Sequence, residues 1–133
     1  MLQTIVHYFL HFIAIGAIAY WYDKEHWKRN WLILLATMLV DVDHVFATPL
    51  FDPNRCGIGF HPLHSEFAIM VYILGVVFVR HKIFRLIFIG LLFHMLTDFI
   101  DCLWMFSNCE ECYFSSEVYK WTGILGTKIS NFQ

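Results

Sequence analysis

The chain has 133 residues and a formal net charge of −2 with His counted as neutral; 59% of its residues are hydrophobic and only 15% are charged. A soluble domain carries about 25% charged residues, and a single domain of this length cannot bury so much apolar surface away from water. This balance excludes an ordinary soluble domain, and the lack of a basic stripe excludes nucleic-acid binding. We predict an integral membrane protein.

Four apolar stretches are long enough, or nearly so, to cross a bilayer, which takes about 20 residues per helix. A cleaved signal peptide is not predicted, because the first stretch lacks a basic start and a small-residue cleavage site. The predicted fold class is an all-α integral membrane protein: a four-transmembrane-helix bundle over residues 1–112, then a short C-terminal interfacial segment over 113–133. The predicted spans are residues 2–22, 31–47, 66–79 and 83–106.

The short connections after the first and third predicted spans are basic. The positive-inside rule therefore places both connections in the cytoplasm. Both termini, and the Pro- and Gly-rich loop at residues 48–65, are then predicted to lie outside. The basic residues concerned are Lys24, Lys28, Arg29, Arg80, Lys82 and Arg85.

All four cysteines fall on the predicted outer side of the membrane, at positions 56, 102, 109 and 112. An oxidising exterior permits disulfides there, and four cysteines allow three pairings. A buried free thiol at Cys102 is the alternative. The Cys-x-x-Cys spacing of Cys109 and Cys112 does not by itself make a zinc site.

Ionisable side chains inside membrane spans are costly and mark functional sites. In the first span, His7 and His11 are four residues apart, so they share one face of a helix. The second span ends in a D-x-D-H motif made of Asp41, Asp43 and His44. Both groups fall at the outer level of the predicted bundle.

The third and fourth spans add further polar groups at that level. His61 and His64 immediately precede the third span. In the fourth span, His94, Asp98 and Asp101 have the spacing i, i+4, i+7 and form one stripe. Residues scattered through the sequence are therefore predicted to converge in the outer leaflet.

His nitrogens and Asp oxygens suit zinc and related divalent ions. The candidates exceed the needs of one tetrahedral ion, so we predict two Zn²⁺ ions, with room for a third, or another divalent transition metal. A carboxylate shared between ions, or one holding a ligating His, would explain the mixture of residue types. A single intramembrane His can instead donate to a neighbouring carbonyl. The predicted ligands are His7, His11, Asp41, Asp43, His44, His61, His64, His94 and Asp98.

Four more residues are candidates for catalysis or substrate binding. Ser65 is a candidate nucleophile, although a Ser just before a helix is more often its N-cap. Glu66 is a candidate general base, but in a first turn it also complements the helix dipole. Asp101 is a candidate catalytic or supporting carboxylate, and Arg55 can meet the charge of a phosphoester substrate.

The order of these motifs resembles a bacterial family of LexA-regulated inner-membrane proteins regarded as metal-dependent hydrolases. Within that group it is closest to a small uncharacterised family of membrane proteins. The resemblance covers residues 4–101, although Val40 stands where the family has Pro before D-x-D-H. It implies an inner-membrane location and one N-terminal His ligand, either His7 or His11. The other ligands it implies are Asp41, Asp43, His44, His61, His64, His94 and Asp98, with Ser65 following His64.

These features together predict a membrane-embedded metal-dependent hydrolase that acts on a lipid-borne ester or phosphoester at the outer face. The alternative is a metal-binding or metal-transport membrane protein without hydrolytic activity. A transporter should carry polar residues through the cytoplasmic halves of its spans, and here those halves consist of Ile, Leu, Phe and Val. A structural protein stabilised by metal is a third possibility, and it should have a closed site.

Overall fold

The computed structural model describes residues 2–46 and 55–120, apart from the side chain of Glu110. Within these ranges the chain is helical and contains no strand, which confirms the all-α prediction there. The last residue of the second predicted span (47), the first part of the predicted outer loop (48–54) and most of the predicted C-terminal segment (121–133) lie outside the described residues. The helices are α1 Leu2–Tyr22, α2 Trp27–Ala36, α3 Glu66–Phe78, α4 Lys82–Asn108 and α5 Glu110–Phe114. A 3-10 helix, Thr37–Phe46, continues α2, and a 3-10 turn, Pro62–His64, precedes α3.

Two of these helices are long and apolar enough to cross a membrane: α1, with 21 residues, and α4, with 27. The 3-10 helix rises more steeply than an α-helix, so α2 and its continuation together extend about 35 Å. In contrast, the 13 residues of α3 extend only about 20 Å, less than the ~30 Å hydrocarbon core. Among the described residues, two helices thus qualify as membrane spans by length and composition, and the four-span bundle stays a prediction.

The central helix is α4, which contacts α1, α2, the 3-10 helix, α3 and α5. Close approach depends on glycine: a Cβ at Gly90 would lie 2.7 Å from the methyl group of Thr37. On another side of α4, the ring of Phe88 occupies the space that a Cβ at Gly75 would need. Small residues at contacts of this kind let membrane helices pack backbone to backbone.

Two apolar clusters bracket the middle of α4. The first joins α1, α2 and the start of α4 through Ile15, Ala19, Leu34 and Leu86, each at most 1% exposed. The second lies further along α4 and includes Val40, Ile58, Tyr72, Met95 and Cys102. His94, Asp98 and Asp101 lie further along α4 than Leu86 of the first cluster, and Met95 of the second cluster lies among them in sequence.

The helix α1 is wound as a π-helix over Phe9–Ala14. Such segments leave backbone groups without their usual partners, and they occur frequently at functional sites. Here the indole N–H of Trp31 in α2 donates to the carbonyl oxygen of Phe12 at 3.0 Å. The bond satisfies a backbone acceptor of the π-helical segment and ties α1 to α2.

Both disulfides have definite pairings: Cys56 with Cys102, and Cys109 with Cys112. The structure thus selects one of the three possible pairings, and the alternative of a free thiol at Cys102 is wrong. The first disulfide fastens the segment before α3 to α4, one helical turn beyond Asp98.

The two basic connections lie at the same end of the molecule. The hydroxyl of Tyr22, at the end of α1, donates to the carbonyl oxygen of Lys82, at the start of α4, at 2.9 Å. In the first connection, Asp23 and His26 form an ion pair with 3.1 Å between Oδ2 and Nδ1. Desolvation alone would raise the pKa of Asp23, but hydrogen bonds from the side chain and backbone of His26 and from the backbone of Glu25 together lower it.

Candidate metal centre

The D-x-D-H motif lies on the 3-10 helix Thr37–Phe46, whose period is three residues per turn. Thr37, Val40 and Asp43 are three residues apart and are all buried. Asp43 therefore points into the protein, whereas Asp41 stands on a neighbouring face with its side chain 41% exposed. The two carboxylates of one short motif thus have different surroundings.

Four side chains from three segments converge on one point: Asp41, His64, His94 and Asp98. The Nε2 atoms of His64 and His94 lie 3.4 Å apart. His64 Nε2 is 3.3 Å from Asp41 Oδ1 and 3.3 Å from Asp98 Oδ2. His94 Nε2 is 3.0 Å from Asp41 Oδ1 and 3.1 Å from Asp98 Oδ2. We call these four residues the tetrad.

The spacing of the tetrad atoms fits a tetrahedral ion. Zinc binds His N and carboxylate O at roughly 2.0–2.2 Å, which makes the edges of a tetrahedron about 3.3–3.6 Å long. The five atom pairs above, at 3.0–3.4 Å, are slightly contracted edges of such a tetrahedron. Two imidazole nitrogens that face each other and two carboxylates need a shared positive charge between them.

Asp43 holds His64 in position. Its Oδ2 accepts hydrogen bonds from the ring Nδ1 of His64 at 3.1 Å and from the backbone N–H of Leu63 at 2.8 Å. The ring therefore carries its proton on Nδ1 and turns the lone pair of Nε2 toward the tetrad. A carboxylate behind a ligating His is the usual way in which proteins orient that ligand.

The surroundings of His64 favour its positively charged form. Burial alone lowers the pKa of this imidazole, but hydrogen bonds to Asp41, Asp98 and Asp43 raise it to about 10. The reason is that three carboxylates surround a ring that is completely buried. The same carboxylates would attract a metal cation.

A second group of potential ligands adjoins the first and consists of His7, His11 and Asp98. The Oδ1 atom of Asp98 lies 3.4 Å from His11 Nε2, while its Oδ2 belongs to the tetrad. The buried Nδ1 atoms of His7 and His11 have no hydrogen-bond partner, and each unpaired group costs about 1–3 kcal/mol. A cation bound by this group would share Asp98 with an ion at the tetrad.

A third group consists of Asp43, His44 and His64. His44 Nδ1 lies 3.0 Å from Asp43 Oδ1. His61 belongs to none of the three groups found among the described residues, although it is buried and its ring stacks on that of His44 at 3.8 Å. Burial, and after it the charge of His44, lowers the pKa of His61. Its predicted role as a ligand stays a prediction.

The remaining candidates lie around this cluster. The hydroxyl of Ser65 caps α3 by accepting from the backbone N–H of Ala68 at 3.3 Å, and it donates to the Pro62 carbonyl oxygen at 2.8 Å. Glu66 is exposed in the first turn of α3, and Arg55 lies over the ring of Phe60, 4.4 Å from its centre. A direct contact thus supports the cap interpretation of Ser65, whereas the roles of Glu66 and Arg55 stay predictions.

Gln3 is a residue that the sequence analysis missed. Its amide donates to Asp101 Oδ1 at 2.8 Å, and Asp101 Oδ2 lies 3.6 Å from His7 Nδ1. The signal was available, because Gln3, His7 and His11 follow one another at intervals of four residues along one helix face. Asp101 is therefore held between two residues of α1, next to the second group.

The support given by Asp43 can be tested on its own. In Asp43→Asn we expect zinc affinity to fall about 10–100-fold, the usual effect of altering the group behind a ligating His. A competition titration with a chelating dye would measure it. Asp23→Asn, which changes a carboxylate at the other end of the molecule, serves as the matched control and should leave the affinity unchanged. If the Asp43 variant and the unaltered protein bind zinc with equal affinity, Asp43 does not orient His64 for metal binding.

The sequence model of a family of unknown function, DUF6122, matches residues 1–105. This stretch covers more than half of the 133 residues and contains all three groups of potential ligands. No curated protein and no solved structure matches the chain. The resemblance to metal-dependent hydrolases therefore stays a prediction.

Proposed function

The chain belongs to DUF6122, a family of unknown function, and we propose that it is a membrane-embedded, metal-dependent hydrolase. Its substrate would be a lipid-borne ester or phosphoester at the outer face of the membrane, and its ions two zinc ions or similar divalent metals. The observation that carries the proposal is the tetrad, with Asp98 extending to the second group. A carboxylate shared between neighbouring ions is typical of two-metal hydrolytic sites.

Divalent ions in such a site lower the pKa of water and polarise the oxygen of the bond to be cleaved. The protein's own groups have separate tasks in this proposal. Asp41, His64, His94 and Asp98 hold one ion, and His7, His11 and Asp98 hold the other. Asp43 keeps the proton of His64 on Nδ1, so we assign it and His44 to support rather than to a third ion. Asp101, held by Gln3, would accept a proton on Oδ2 as general base.

A hydrolase needs a site that substrate can reach, whereas a structural metal site is closed. The side chains of His64 and His94 are almost completely buried, but Asp41 is 41% exposed. On the other side of Asp98, His7 is 26% exposed and Asp101 is 35% exposed. The candidate centre thus has buried residues, His64 and His94, on one side and solvent-accessible residues, Asp41, His7 and Asp101, on the other.

The proposal includes four spans in the cytoplasmic membrane, with both termini outside. Tyr22 and Lys82 bring the two basic connections to one end, which the positive-inside rule assigns to the cytoplasm. His94 lies twelve residues further along α4 than Lys82, or about 18 Å, which is beyond the middle of a ~30 Å core. The Cys56–Cys102 disulfide lies further still from the basic end and suits an oxidising exterior.

The rival function, metal transport, lacks support at the basic end of the bundle. Between the candidate centre and that end lies the first apolar cluster, in which Ile15, Ala19, Leu34 and Leu86 are at most 1% exposed. A transport pathway needs polar groups or water at this level. The packed aliphatic side chains of this cluster offer neither polar groups nor space for water at that level, which argues against a transport pathway.

The test is a hydrolysis assay on the full chain, purified in detergent and loaded with zinc. Model phosphodiesters, model carboxylic esters and a membrane phospholipid would be offered in turn, and the metal content per chain measured on the same sample. We expect about two ions per chain and cleavage of one ester class. In His94→Ala, cleavage should fall to background, because the variant lacks one of the buried ligands of the tetrad.

The matched control is His26→Ala, the same substitution at the basic end of the molecule, which should retain both metal and activity. A protein that carries two ions and cleaves none of these substrates would refute the hydrolase proposal and leave a metal-binding protein. A single ion held by the four tetrad residues, with no water bound to it, would identify a structural site.

A further inference from the structure

An apolar groove of about 550 Å³ runs along α4 beside the candidate centre. Its floor is formed by α4, one wall by α2 and the 3-10 helix, and the other by Leu63 and α3. The volume falls within the roughly 300–1,000 Å³ typical of small-molecule sites. The groove is lined by Ile33, Ala36, Thr37, Leu39, Val40, Leu63, Tyr72, Ile83, Ile87 and Leu91.

The lining offers no free polar group to a ligand. The hydroxyl of Thr37 donates to the carbonyl oxygen of Leu34 at 2.6 Å, and the hydroxyl of Tyr72 donates to that of Leu63 at 3.0 Å. Both polar side chains of the groove are thus satisfied within the protein, and aliphatic carbon covers the rest of its surface. Such a lining selects a flexible hydrocarbon rather than a headgroup or a polar metabolite.

The groove leads to the candidate centre. Two of its lining residues, Val40 and Leu63, are adjacent in sequence to the tetrad residues Asp41 and His64. From Ile83 to Leu91 the floor extends about 12 Å along α4, away from the centre and toward the basic end. A chain lying in the groove would therefore place whatever it carries beside the exposed edge at Asp41.

We propose that this groove seats one alkyl chain of a lipid whose headgroup reaches the metal centre; the inference rests on the proposed hydrolytic function and names its substrate class. An apolar groove left empty deprives its lining of van der Waals contacts, and a hydrocarbon chain from the bilayer restores them. The chain then acts as the positioning element, because it fixes the depth at which the headgroup enters the site.

A second copy of the protein is a poorer occupant than a lipid chain. In a two-fold dimer whose axis passes through the groove, the groove would meet its own copy, so that one concave surface would face another. Neither would be filled. A flexible chain of methylene groups, in contrast, can adapt its conformation to the groove between the helices.

The proposal can be tested by photocrosslinking. The zinc-loaded full chain is reconstituted in vesicles of phosphatidylethanolamine and phosphatidylglycerol that contain a trace of phosphatidylglycerol with a diazirine within one acyl chain. After illumination, mass spectrometry locates the label. We expect labelling concentrated on α2 and on the first half of α4, and competition by unlabelled phospholipid. Metal content and hydrolysis are measured on the same sample.

Ala36→Trp blocks the groove at an exposed position of its wall, and Val77→Trp, at an exposed apolar position of α3 outside the lining, is the matched control. Because an indole covers about 150–250 Å², we expect groove labelling to fall roughly five-fold in the first variant. It should remain unchanged in the second. Zinc content should be the same in both, since neither position contributes to the centre.

Even labelling of all lipid-facing helices, or equal labelling in the two variants, would overturn the groove proposal. So would a dimer whose crosslinks run through the groove. If labelling is confined to the groove but the zinc-loaded protein cleaves no ester, the hydrolase proposal fails while the lipid site stands. If cleavage persists in Ala36→Trp with unchanged KM, the hydrolase stands and the groove has no part in substrate binding.

Discussion

Asp98→Ala is expected to lose most of its bound zinc, with affinity weakened by more than the roughly 10–100-fold typical of changes behind a ligand. The reason is that Asp98 serves both groups: its Oδ2 lies 3.1 Å from His94 Nε2 and its Oδ1 lies 3.4 Å from His11 Nε2. Removing it deprives two positions of a negative charge at once. The metal content of the purified protein, measured by elemental mass spectrometry, gives the result directly.

The matched control is Asp101→Ala, the same change one helical turn further along α4. Asp101 contacts Gln3 and lies near His7 but is not part of the tetrad, so the ion at the tetrad should remain. Should Asp98→Ala fail to fold, His11→Ala tests the second position alone, because His11 belongs to that group and not to the tetrad, and this variant should lose one ion of two. Full metal content in Asp98→Ala would remove Asp98 from the centre and contradict its sharing between the two groups.

Removal of the Cys56–Cys102 disulfide, by changing both residues to Ala, is expected to destabilise the protein by about 4 kcal/mol. The bond closes a loop with a sequence separation of 46, and the loop-entropy relation gives this magnitude. The same bond fastens the segment that carries His64 to the helix that carries Asp98. Zinc affinity should therefore fall together with stability, as followed by thermal unfolding and by dye competition.

Cys109 and Cys112 supply the control, since their disulfide spans a sequence separation of only three. The same relation gives about 1.5 kcal/mol for so short a loop, and the bond lies beyond the candidate centre. The double Ala variant at these positions should keep its zinc affinity. Equal losses of affinity in both double variants would show that the effect of the first comes from general destabilisation rather than from the position of His64.

The amino-acid sequence by itself determined the type of protein and the chemistry available to it. The apolar composition and the long stretches at α1 and α4 follow from counting residues, because hydrocarbon tolerates few charges. The prediction of residues that could hold a metal ion follows from the cost of His and Asp inside such stretches. The i, i+4 spacing of His94 and Asp98 fixes a common helix face, since that relation depends on local geometry alone.

Only the tertiary structure decided which of these residues meet and in which role. Asp41 and Asp43 are two residues apart, but the period of the 3-10 helix turns Asp43 behind His64 and Asp41 into the tetrad. Likewise, the sharing of Asp98 between two groups depends on how α1 and α4 pack. These outcomes come from contacts between residues far apart in sequence, which no local spacing encodes.

The same reason explains the other results that sequence reasoning left open. The partner of Cys102 lies 46 residues away, and cysteine spacing alone permits three pairings. The Ser65 hydroxyl became a helix cap because α3 begins at the next residue. The apolar groove arises where α2 and α3 stand apart on α4, a gap between helices that exists only once they have packed.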